Sequence, residues 1–111
     1  MKQTVLNLPI LDLNDNEMRY IGDDNAIHAH TFAEMLSKQM QKVAVPLGKI
    51  DVYKGVFDKI DAALTSADAG IITEFSDDEF AIVSRKVESS FDRISKWRWD
   101  RMIEELNMQE K

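Results

Sequence analysis

The stretch Phe75-Ser76-Asp77-Asp78-Glu79-Phe80 contains a complete helix start, and it fixes the direction and face of everything that follows it. With Ser76 at the N-cap, its hydroxyl accepts from the backbone N–H of Glu79, and the Glu79 carboxylate accepts in return from the N–H of Ser76. That reciprocal pair is a capping box. Phe75 and Phe80 fall at the two positions where apolar side chains clamp the chain as it turns into the helix. Asp77 and Asp78 complete the first turn, where negative charge suits the positive end of the helix dipole. Behind them Phe80, Val83, Val87, Phe91 and Ile94 recur at steps of three and four, which predicts one apolar face on a long helix.

Glu74, Asp77, Asp78 and Glu79 form the chain's candidate acidic patch. Adjacent carboxylates can imitate phosphates or hold a cation. The plainer reading is a solvated first turn, since helix starts favour these residues.

A chain of 111 residues fits one domain, 1–111, large enough to build a core without staples. It has no cysteine, so disulfides, thiolate metal sites and cysteine nucleophiles are excluded from it. Its net charge of −6 repels a phosphate backbone at long range, which disfavours nonspecific nucleic-acid binding. No apolar run approaches the ~20 residues that span a bilayer. Asn7, Pro9 and Asp12 interrupt what would be a signal-peptide apolar region. The expectation is a cytoplasmic protein that does not enter a membrane.

Residues 4–13 carry apolar side chains at Leu6, Leu8 and Ile10, and again at Leu11 and Leu13, with Pro9 confining any strand to an edge. Asn14 to Glu17 is turn material, and Met18 to Ile21 returns as a second short strand before the Gly22-Asp23-Asp24-Asn25 turn. A β-hairpin over about 4–21 is expected. Within it Asp12-x-Asn14-x-Asn16 has the opening spacing of a calcium loop, but the sixth position is Glu17 where glycine is needed and the twelfth is Asp23. A plain turn is the better reading. His28-x-His30 could join Asp23 or Asp24 around a metal, yet it lacks a firm third ligand. No cofactor is expected.

Thr31-x-x-Glu34 is a second capping box, followed by Phe32, Leu36, Met40 and Val43 on one face, which predicts a helix over about 31–43. Pro46 and Gly48 end it. Tyr53, Val56, Phe57, Ile60 and Leu64 predict another over about 51–64. Thr65 to Gly70 reads as a loop. Ile71 to Phe75 reads as a third short strand or an extended lead into the capped helix. That helix is expected over 77–106, either continuous or broken near 89–96, where the pattern blurs. The fold class is α+β: about three helices against a small N-terminal hairpin, with a core of Phe32, Leu36, Phe57, Ile60, Phe80, Val83, Val87 and Phe91.

Arg93, Lys96, Arg98 and Arg101 surround Trp97 and Trp99, the chain's one basic and aromatic cluster. Arg and Trp are the residue types that anchor protein interfaces, and they can also stack bases and pair phosphates. A core tryptophan with solvated charges is the plainer account.

The order of these elements resembles a group of small phage and prophage proteins. The features that carry it are the Leu11 to Ile21 hairpin, the Thr31 to Leu36 capped start, the Tyr53 to Leu64 helix and the Ser76 to Val83 box. The segment Lys96-Trp97-Arg98-Trp99 departs from the proline-containing turn of such proteins. The resemblance implies a mobile-element setting and carries no catalytic residue.

The sequence has no glycine-rich phosphate loop and no nucleophile elbow. The function expected is therefore non-catalytic protein interaction, with a protein partner or a homo-oligomer, through Arg93, Trp97, Arg98, Trp99 and Arg101. The first alternative is an acidic inhibitor that imitates phosphate in the groove of a nucleic-acid enzyme. The second is weak nucleic-acid binding through the Arg/Trp segment.

Overall fold

The computed structural model describes residues 2–66 and 70–108 and, at Tyr20, the backbone alone. Part of the expected 65–70 loop, residues 67–69, lies outside the described residues. The architecture is α+β and dominated by helix, with β1 (Lys2–Val5), β2 (Arg19–Ile21), β3 (Ile27–Ala29), α1 (Phe32–Met40), α2 (Ile50–Thr65), β4 (Ile72–Phe75), α3 (Asp77–Ser90) and α4 (Arg93–Asn107). A 3-10 turn, Leu47–Lys49, leads into α2.

The expected 4–21 hairpin is corrected. β1 pairs antiparallel with β4, from Lys2 opposite Phe75 to Val5 opposite Ile72. The chain does reverse at residues 13–15, but there the pairing is one bridge between Leu11 and Glu17, flanked by hydrogen bonds from Asp12 N–H to the Asn16 carbonyl and from Met18 N–H to the Ile10 carbonyl. Arg19 to Ile21 pairs forward instead, so that β2 and β3 form a separate hairpin. Two turn sequences drive this arrangement. In each a three-residue loop closes on a left-handed residue, Asp15 with φ 62° and Asn25 with φ 60°, and Asp and Asn tolerate that conformation best after glycine. The Asp12 carboxylate accepts from the N–H groups of Asn14 and Asn16. The calcium-like spacing is thus a turn that satisfies its own backbone.

Among the described residues β1 has one strand neighbour, β4, and α4 packs against it. Asn107 at the end of α4 closes the open edge: Gln3 N–H donates to its amide oxygen at 3.1 Å, and its amide nitrogen donates to the Gln3 carbonyl at 3.2 Å. One side chain therefore takes the place of a further strand, which protects an edge otherwise ready to pair with another chain.

Both N-caps sit where the sequence places them, but only Ser76 makes the full capping box. The Thr31 hydroxyl accepts from Glu34 N–H, and at Ser76 both halves of the box are made. The 77–106 segment is two helices, divided at Phe91 and Asp92 inside the 89–96 stretch. Phe91 leaves the helical conformation with ψ 144°, and Asp92 caps α4 by accepting from Ser95 N–H. Phe91 is thereby free to turn inward between the two helices, where it is buried.

The core gathers Phe32, Leu36, Ile60, Val83, Val87 and Phe91 as expected, and Phe57 and Phe80 lie partly buried against it. Leu6, Ile10, Val56, Phe75 and Trp99 join it from outside the expected set, with Ala33, Met40 and Ala63. Among the described residues, no helix is long and apolar enough to cross a membrane.

Candidate protein-docking site

Two tryptophans two residues apart on a helix are separated by about 200° and cannot share a face. Trp99 is 2% exposed and sits among three phenylalanine rings: edge-on to Phe32 at 5.3 Å and to Phe91 at 6.2 Å, and stacked on Phe80 at 6.5 Å. Its expected place in an interface is corrected: it is a core residue. Trp97 is 42% exposed on the other side of α4. Its ring lies 4.8 Å from the Arg98 guanidinium and 5.2 Å from that of Arg101, within cation–π range.

The basic cluster does not act as a unit. Arg98 reaches 87 residues back along the chain to donate to the carbonyls of Leu11 and Asp12, and it pairs with the Asp15 carboxylate at 2.7 Å. It is a strut between α4 and the N-terminal turn. Lys96 pairs with Asp100 at 3.0 Å and Arg101 with Glu105 at 3.4 Å. Arg93 is exposed in the first turn of α4.

The acidic patch also divides. Glu74, Asp77 and Asp78 are exposed, whereas Glu79 is buried. The Glu79 carboxylate accepts from Ser76 N–H at 2.8 Å and from the Lys59 ammonium at 2.6 Å, so α2 and the start of α3 are tied through one oxygen. Burial would raise its pKa, but the hydrogen bonds from Lys59 and Ser76 outweigh it and hold the carboxyl below the ordinary glutamate value. Its other oxygen lies where a Cβ at Gly55 would be, which accounts for a glycine in the middle of α2.

The surface with the geometry of a binding site lies elsewhere. α1 ends at Met40, and beyond it a groove of about 420 Å³ opens between the first turn of α2 and α3. α3 turns two stripes to its surroundings. Val83 and Val87 face the core, while Asp78, Ile82, Arg85 and Ser89, spaced four, three and four apart, line the groove. Val43, Val52 and Tyr53 form the opposite apolar wall.

Lys49, Arg85 and Lys86 also line the groove, and among the described residues none of them forms an ion pair. In a chain of net charge −6, three unpaired cations around one apolar groove form a local reversal of sign. The connection that supplies Lys49 adds exposed apolar residues: Val45, Leu47 at 89% and Ile50. Apolar side chains concentrated in a linker were the sequence signal for this site, because connecting segments that only turn the chain are built from Gly, Pro, Asn, Asp and Ser.

Among the described residues no three His, Asp or Glu side chains gather as metal ligands. His28 instead pairs with the Asp24 carboxylate at 2.9 Å, and that hydrogen bond holds the Asp24 carboxyl below its ordinary value. No protein-family model, curated protein or solved structure matches the chain.

Proposed function

We propose that this chain is a non-catalytic protein-interaction module that docks its partner in the groove between α1, α2 and α3. The observation that carries the reading is the union of an open apolar groove with exposed Val45, Leu47 and Ile50 on the connection beside it. A buried apolar centre inside a charged rim is the anatomy of a protein interface. The groove's volume also suits a small ligand. Exposed Val45, Leu47 and Ile50 lie outside the groove's lining, however, on the connection that supplies Lys49 to it, and a ligand confined to the groove would leave them in water.

The test is a photo-reactive benzoylphenylalanine in place of Ile50, with the same group in place of the exposed Asp58 on α2 as control. Irradiation of cells that produce each variant is expected to give discrete protein adducts from position 50 and none from position 58. No adduct from position 50, or the same adducts from both, would overturn the placement.

A further inference from the structure

The β2–β3 hairpin has an unpartnered apolar pair. Ile21 and Ile27 stand directly opposite each other in the ladder, yet they are 73% and 67% exposed. Opposed branched residues stabilise a ladder by packing on each other, but that contact leaves their outer surfaces in water. The strands pack chiefly on one another, so residues 19–29 form an arm held at its base: Met18 N–H donates to the Ile10 carbonyl, and His30 N–H to that of Met18. At its tip are Asp23 and Asp24, both exposed, and among the described residues Asp23 has no cationic partner.

The arm and the groove are complementary in apolar character and, Asp78 apart, in charge. The arm presents two branched apolar side chains beside carboxylates. The groove presents an apolar floor of Val43, Val52 and Ile82 beside the ammonium and guanidinium groups of Lys49, Lys86 and Arg85. A groove of about 420 Å³ admits a few side chains and not the full face of a helix, which matches a narrow hairpin tip better than a helical partner.

We infer that the occupant of the groove is the β2–β3 arm of a second copy of this chain, with Ile21 and Ile27 on the apolar floor and Asp23 and Asp24 against Lys49, Arg85 and Lys86. This rests on the reading of the groove as a protein-docking surface. Because arm and groove are different patches, the contact is heterologous: copies form a closed assembly if the rotation closes and a chain if it does not. An arm of this size buries less than the ~1,200 Å² of a standard stable interface, so association is weak and concentration-dependent. Salt weakens it through the charged rim.

The test is complementation between two defective variants. One carries Ile21→Thr and Ile27→Thr, which keep β-branching and remove apolar surface. The other carries Arg85→Glu and Lys86→Glu. Far-UV circular dichroism and melting temperature check that both fold, and sedimentation equilibrium reads association.

The wild type is expected to at least double its average mass between about 10 μM and 1 mM, across the range of weak affinities. Each variant alone stays monomeric, and their equimolar mixture associates again, because one intact arm meets one intact groove. A wild type that remains monomeric, or a mixture that does not associate, would overturn self-docking. Adducts with a different protein from position 50 would then leave the docking surface standing, whereas no adducts would remove both.

Discussion

Trp99→Ala is expected to cost about 3–5 kcal/mol of folding stability, the range for deletion of a large buried aromatic. A domain of this size has about 5–15 kcal/mol in total, so the variant lies near or below the threshold for folding. The cost has two sources. Burial of the indole is lost, and so are its contacts with Phe32, Phe80 and Phe91, each aromatic pair contributing roughly 0.5–1.5 kcal/mol beyond area. The cavity would open where α1, α3 and α4 meet.

Trp97→Ala removes a half-exposed ring with two surface cation–π contacts and is expected to cost about 1 kcal/mol or less. Urea unfolding followed by far-UV circular dichroism measures both, since fluorescence would report a different tryptophan in each variant. Equal costs would contradict the placement of the two rings on opposite sides of α4.

Glu79→Ala comes next in size, at about 2–3 kcal/mol, because it removes half of a capping box and leaves Lys59 without its carboxylate. Glu79→Gln keeps the cap acceptor and loses only the charge, so it is expected to fall between the alanine variant and the wild type. The pH dependence follows from the direction of the shift. The folded state holds Glu79 ionised below its ordinary pKa, so the unfolded chain binds more protons in acid. The stabilisation is full above the unfolded carboxylate value and is lost as pH falls through the lower folded value.

Asp92 acts in the same direction. Burial raises its pKa, but hydrogen bonds from Ser95 and nearby backbone N–H groups outweigh that and lower it. Melting temperature is therefore expected to be flat near neutrality and to drop below about pH 4–5, where carboxylates titrate. The drop should be shallower in Glu79→Gln. A variant that loses stability in acid as steeply as the wild type would show that the Lys59 pair does not contribute.

What was legible in the sequence follows the range of the interactions. Both N-caps are local, with partners three residues apart, and Thr31 and Ser76 stand where the pattern put them. The break after α3 has a local cause too, but Asp92 was obscured by an apolar spacing that continued through Phe91 and Ile94. The β1–β4 pairing joins residues about 70 positions apart, and neither strand carries a mark of the other. The adjacent 4–21 hairpin was the simpler pairing, and Pro9 and the forward-pairing Ile21 work against it.

Residue type marks Arg and Trp as interface anchors, but it does not report the face on which they stand. Trp97 and Trp99 differ by 200° around α4, Arg98 is spent on the Leu11 to Asp15 turn, and Glu79 is a cap. The groove arises only when α1 stops short beside α2 and α3, so the linker apolar residues were its only sequence trace.

The most direct measurement places a spin label on the arm through the exposed Ala26→Cys, which leaves Ile21, Asp23, Asp24 and Ile27 in place, in a chain that has no other cysteine. Labelled protein is mixed with an unlabelled, ¹⁵N-enriched copy, and broadening of its amide signals is read residue by residue. Self-docking is expected to broaden residues 49–53 and 82–86, and Arg85→Glu with Lys86→Glu in the ¹⁵N copy to suppress that broadening. Uniform broadening, or broadening centred on Trp97 and α4, would contradict it.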